Sequence, residues 1–185
     1  MRGYILFTAA LLALAGGTPS YCQDKFSKDN LAPYIPSPEI VVDKMLEAAR
    51  VKPNELVYDL GSGDGRIVIA AAMKYQARAV GVELRGDLCK STQARIQALG
   101  LSGRVTLIHG NLLKVDLSPA DVVTLYLLTS SNERLRPNLE KYLKPGARVV
   151  SNDFEIRGWK PADVVRIDAG GVMHNIYVYE MATRK

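Results

Sequence analysis

The chain has 185 residues, a formal charge of +5 and a hydrophobic share of 48%. That length suits one domain with a real core and is too short for two. The apolar share is that of a globular protein rather than a disordered one. The 24 Lys and Arg residues are scattered, with no basic run and no interleaved aromatics, so composition argues against a nucleic-acid partner.

Arg2 precedes an apolar run from Tyr4 to Ala15, and small and polar residues follow from Gly16 to Gln23. This reads as an export signal over residues 1–22, with Ser20 and Cys22 at the small positions before a cut at Gln23. The run is shorter than the ~20 residues of a membrane span. An uncleaved N-terminal anchor is the alternative. The expected location is therefore periplasmic or membrane-associated, facing the cytoplasm if the segment is an anchor. After a cut Cys89 is the one cysteine left, which excludes an internal disulfide. With His109 and His174 as the two histidines and no Cys-x-x-Cys, no metal site is expected.

Residues 23–37 form an extended N-terminal segment that ends in the proline-stiffened run Leu31-Ala32-Pro33-Tyr34-Ile35-Pro36-Ser37. The main domain is residues 38–185. Ser37 is expected to cap a helix that has Pro38 at its first position. The apolar face of that helix is Ile40, Val41, Met45, Leu46 and Ala49. Strands and helices then alternate. Strands are predicted at Leu56–Leu60, Ala79–Glu83, Arg104–His109, Val122–Leu128 and Ala147–Ser151. The helices between them run from about Gly65 to Tyr75, Asp87 to Leu99 and Asn132 to Leu143. Gly110 to Leu113 is a loop. Two further strands, near Val164–Asp168 and Asn175–Glu180, have no helix between them and should pair antiparallel. The pattern predicts an α/β fold with a mostly parallel sheet covered on both faces. Ligands of such sheets bind beyond the carboxyl ends of the strands. Asp59, Glu83, Asn111, Tyr126 and Asn152-Asp153 all fall at those ends.

The run Val57-Tyr58-Asp59-Leu60-Gly61-Ser62-Gly63-Asp64-Gly65-Arg66 carries the most information. An apolar strand ends on an acid, glycines stand at alternate positions, and an apolar helix begins. Glycines so close together weaken an element unless a ligand or a turn needs them. A dinucleotide fingerprint would need its third glycine one position later, where Arg66 stands, which weakens an NAD-dependent oxidoreductase reading. Glu83, ending the next apolar stretch, lies where a carboxylate holds ribose hydroxyls.

The D-x-G-x-G-x-G pattern resembles motif I of class I methyltransferases that use S-adenosylmethionine (SAM). A wider resemblance spans roughly residues 33 to 160. It rests on Pro33-Tyr34-Ile35-Pro36-Ser37-Pro38, Val57 to Ala72, Val122 to Leu128, Leu135-Arg136-Pro137, Leu143-Lys144-Pro145-Gly146 and Arg148 to Phe154. These stretches are similar to bacterial relatives of the mitochondrial lysine methyltransferases that act on the adenine nucleotide translocase and the ATP synthase c subunit. The resemblance implies a Rossmann-like seven-stranded class I methyltransferase sheet with an antiparallel last strand. It implies SAM as cofactor and a protein lysine as acceptor, possibly on a membrane-associated protein.

By the same resemblance Tyr34 and Ser37 form a lid near the cofactor. Asp59 orders the loop and binds the methionine amino group through it or through water. Gly61 and Gly63 pass close to the cofactor, and Gly65 lets the helix and strand pack. Glu83 takes both ribose hydroxyls. Asn111 accepts from the adenine amine or is an ordinary turn residue. On the acceptor side, Tyr126 lines the pocket or packs in the core, and Asp153 bonds the acceptor or forms a turn. Asn152 stands where such relatives commonly have His, and Thr129 where they have Pro. Both departures fall on the acceptor side. A small-molecule methyltransferase and a SAM-binding module without catalysis remain the alternatives. The sequence leaves the oligomeric state open.

Overall fold

The computed structural model describes residues 31–182. The export signal expected over residues 1–22 lies outside the described residues. The elements in order are α1 (Glu39–Ala48), β1 (Leu56–Leu60), α2 (Arg66–Tyr75), β2 (Arg78–Glu83), α3 (Gly86–Ala98), β3 (Val105–His109), a 3-10 turn at Leu112–Lys114, β4 (Val122–Leu125), α4 (Thr129–Tyr142), β5 (Arg148–Asn152), β6 (Asp163–Asp168) and β7 (Met173–Glu180).

The strands form one seven-stranded sheet in the order β3-β2-β1-β4-β5-β7-β6. Strands β1 to β5 are mutually parallel, and β7 runs antiparallel to both β5 and β6. Each parallel neighbour needs a helical crossover, whereas β6 and β7 meet through the short turn at Ala169-Gly170-Gly171. Period-two alternation sorts each strand between two cores. On one face Val57, Val122, Val150 and Ile176 pack under Met45 and Leu46 of α1, Val68 of α2 and Ile96 of α3. On the other, Leu60, Val123, Leu125, Val149 and Tyr179 meet Leu135 and Leu139 of α4 and Leu143 just after it.

Four local expectations are corrected. Ser37 does not cap α1. Pro38 holds the cap position with ψ 146°, makes no side-chain cap bond, and offers its carbonyl to the amides of Val41 and Val42. Ile40 is 51% exposed, and Val42 takes its place in the core. The fourth strand ends at Leu125 rather than Leu128, because β1, its neighbour, turns away at Gly61 and leaves Tyr126 with no ladder partner on that side. Helix α4 then starts early, at Thr129, with the Leu128 carbonyl accepting from Ser131 and Asn132.

Candidate active site

The strand order reverses between β1 and β4: the chain moves outward through β2 and β3 on one side and through β4 and β5 on the other. The carboxyl ends diverge there and leave a crevice, the usual ligand position in an open α/β sheet. Its volume is about 260 Å³, and its walls include Asp59, Gly61, Gly63, Glu83, Tyr126 and the whole run from Leu31 to Ser37.

The glycine turn forms the floor. The amides of Gly61 and Ser62 donate to the Val82 carbonyl at 2.9 and 3.0 Å, which ties the turn to β2. Gly63 has φ +54°, and a Cβ on it would stand 2.6 Å from the Tyr34 ring. Backbone and lid therefore touch across the crevice only because that side chain is missing. Glu83 braces the turn: Oε2 accepts from the Gly63 amide and Oε1 from the Arg85 amide, both at 2.8 Å. Each oxygen keeps a free lone pair, so the carboxylate remains able to accept two ribose hydroxyls.

Asp59 is buried beside this turn. Thr124, its register partner on β4, donates its hydroxyl to Oδ1 at 2.8 Å. Desolvation, only partly offset by that bond, together with the charges of Glu83 and Asp64, pushes the Asp59 carboxyl up to about 7. A cationic amine placed beside it would restore the ionised form. A glycine cradle, a carboxylate with spare acceptor sites and a buried acid poised to meet an ammonium fit the three parts of SAM that need polar contacts.

The lid is held from below. Arg66 donates to the Ser37 carbonyl and grips Asp64 through Nη2 at 2.6 Å. Its guanidinium also meets the Tyr34 hydroxyl. Ser131 on α4 donates to the Leu31 carbonyl at the other end of the segment. The proline segment thus spans the crevice from α4 to the start of α2.

Tyr34, Ser37, Asp59, Gly61, Gly63, Glu83 and Tyr126 all lie in the crevice wall, and Gly65, Asn111 and Asp153 do not. Gly65 serves packing, and its neighbour is a helix rather than the strand. A Cβ there would stand 2.3 Å from Cγ2 of Thr92 on α3. Thr92 in turn donates to the Gly63 carbonyl at 3.1 Å. Asn111 caps the 3-10 turn, its Oδ1 accepting from the Leu113 amide at 2.8 Å, as a turn asparagine does. Asp153 lies one side chain behind Tyr126, with its carboxylate near the Tyr126 hydroxyl. Burial and that negative charge raise the Tyr126 pKa, so the phenol stays protonated. Asn152 is fully buried, and its amide atoms have no partner among the described residues. Cys89 packs, with its thiol 3.6 Å from the Glu83 carbonyl, and burial pushes the thiol pKa up. Among the described residues no group of His, Cys, Asp or Glu side chains is placed to hold a metal ion.

Sequence reasoning missed two residues. Arg66 served there only to argue against a dinucleotide, and nothing local marks it as the tie to Ser37. His174 carried no motif, yet it contacts Asp153.

Fold, crevice and relatives together define a class I SAM-dependent methyltransferase. The family model described as the ANTKMT methyltransferase domain matches residues 59–163, and the chain belongs to that family. It is 49% identical to a protein-lysine N-methyltransferase of Saccharolobus islandicus, over 83% of this chain and 96% of that one. It is 36% identical to the mouse adenine nucleotide translocase lysine N-methyltransferase, over 72% of this chain and 58% of the mouse protein. Among solved structures, a Salinibacter ruber protein described as an RNA methyltransferase, in complex with S-adenosyl-L-homocysteine, is 44% identical. It superposes with a TM-score of 0.76 over 82% of this chain and 96% of its own.

Proposed function

We propose that this chain transfers the methyl group of SAM to the side-chain amine of a protein lysine. The reading is carried by the near full-length match to a protein-lysine methyltransferase, set on a crevice whose acceptor side is walled by Tyr126. Asp59, Glu83 and the turn from Gly61 to Gly63 would hold SAM, which when bound supplies a methyl on a positively charged sulfur. The residues of the chain then have two tasks. One is alignment: Tyr126 and the lid confine the acceptor so that its nitrogen approaches in line, which is a large part of the barrier. The other is desolvation. Leu31, Pro33, Ile35 and Leu127 surround the crevice with apolar surface, which disfavours an ammonium and lowers the lysine pKa. The amine lone pair forms the new C–N bond as the C–S electrons return to sulfur. The methylated ammonium releases its extra proton to solvent.

The test is incubation of the purified chain with methyl-tritiated SAM and, separately, total cellular protein and total RNA. Label in protein, with methyl-lysine found by mass spectrometry, is expected. Label confined to RNA would reassign the acceptor to the class named for the Salinibacter protein. SAM binding without label in either fraction would leave a binding module.

A further inference from the structure

The deepest part of the acceptor side is a short chain of side chains drawn from the ends of three strands. Tyr126 stands just past β4 and lines the crevice. Its hydroxyl meets Asp153, just past β5. Asp153 holds φ +59°, a left-handed conformation that costs a non-glycine residue energy and persists where surroundings enforce it. The enforcing groups are on β7. The Asp153 amide donates to the Asn175 carbonyl at 2.7 Å, and its Oδ1 accepts from the Asn175 amide at 3.0 Å. Its Oδ2 lies 2.8 Å from Nδ1 of His174, a residue only 6% exposed.

Resting on the lysine-methyltransferase reading, we propose that His174 is a positioning residue: it fixes the Asp153 carboxylate so that Tyr126 turns its oxygen lone pairs to the incoming amine. An ionised carboxylate only accepts, so Nδ1 of His174 must carry its proton toward Oδ2. The Asn175 amide takes the other oxygen. The Tyr126 proton is then directed at the same carboxylate, and the phenol oxygen is left with acceptor sites only. Tyr126 lines the crevice, where an amine needs an acceptor for its N–H bonds while its own lone pair points at the methyl. Without the His174 donor, Asp153 loses one anchor of a strained conformation and Tyr126 loses its orientation.

Wild type, H174L and H174N are compared. Asparagine places a donor nitrogen near the position of Nδ1, and leucine places none. Methylation of poly-L-lysine by tritiated SAM should fall about tenfold in kcat in H174L, the scale of one lost hydrogen bond. H174N should stay close to wild type, and calorimetry should give the same SAM affinity in all three. Independently of turnover, nitrogen-15 spectra of wild type should show His174 protonated at Nδ1, and the Tyr126 ring-carbon signal should shift in H174L but not in H174N. Wild-type kcat in H174L, an unprotonated Nδ1 or an unmoved Tyr126 signal would overturn the proposal. If wild type labels neither poly-L-lysine nor cellular protein, the lysine reading fails, and the two spectral signatures still decide the role of His174.

Discussion

On the β1–β2 side of the crevice a ligand meets main chain and two carboxylates, and on the β4–β5 side it meets a tyrosine backed by a second row of side chains. The first side is cross-braced. Glu83 holds the Gly63 amide, Thr92 holds the Gly63 carbonyl, and the Val82 carbonyl takes two amides of the turn. A main-chain cradle of this kind changes only if the turn itself changes, which suits a ligand that is the same in every cycle. On the second side, Tyr126 rests 6.2 Å from the Phe154 ring centroid and depends on Asp153, which in turn depends on β7. Side chains there can be exchanged without unmaking the sheet. The two halves should therefore fail differently: damage to the first shows in stability and SAM affinity, and damage to the second shows in turnover.

The largest expected effect is on pH dependence. Asp59 is raised from 3.8 to about 7 in the folded chain. Well below 3.8 it is protonated whether folded or unfolded. As pH rises toward 7 the unfolded chain releases this proton and the folded chain keeps it, so stability falls over that window and then levels off. The full contribution is on the order of 4 kcal/mol. Urea unfolding at pH 4, 5.5, 7 and 8 should show a wild-type decline that is missing in Asp59→Asn, which is relatively more stable at pH 8. SAM affinity should rise with pH through the same window in wild type, because an ammonium favours the ionised acid, and should be flat in the variant. A stability difference between the two that does not change with pH would refute the buried-acid account.

Gly65→Ala comes next. The left-handed φ of +73° and the 2.3 Å approach to Thr92 add strain to overpacking. Together they should cost roughly 2–4 kcal/mol, measured by denaturant unfolding. Adding Thr92→Ser removes the offending methyl and keeps the hydroxyl that holds Gly63, so part of the loss should return. No recovery in the double variant would mean that the helix contact is not what selects glycine there.

The smallest effect draws the sharpest line between the halves. Glu83→Ala should weaken SAM binding by about 1–3 kcal/mol by calorimetry, since it removes a charged acceptor and loosens the turn. Tyr126→Phe should bind SAM as wild type does and lose turnover. Equal losses of SAM affinity in both would erase the distinction.

Much of the cofactor side was legible because its signals are local. Asp59, the glycine spacing and Glu83 occupy consecutive strand ends, and the crevice collects them from two short stretches of chain. The acceptor side was only half legible. Tyr126 and Asp153 were visible as strand-end residues, but the groups that hold Asp153 come from an antiparallel strand whose register nothing local encodes. For Asn111 the sequence left a ligand contact and a turn role open, and the structure shows its oxygen accepting from an amide two residues on.

The sequence by itself determined the alternation of strands and helices, the glycine turn, the acid ending each of the first two strands and the antiparallel closing pair. Those follow from periodicity, from backbone conformations open only to glycine, and from turn length, all of which act within a few residues. Tertiary structure alone decided that Arg66 reaches back 29 residues to the Ser37 carbonyl and that His174 meets Asp153 across 21. It also decided that Gly65 faces α3. Such contacts depend on how helices seat on the sheet and how β7 registers against β5, and these are settled by packing the whole core at once.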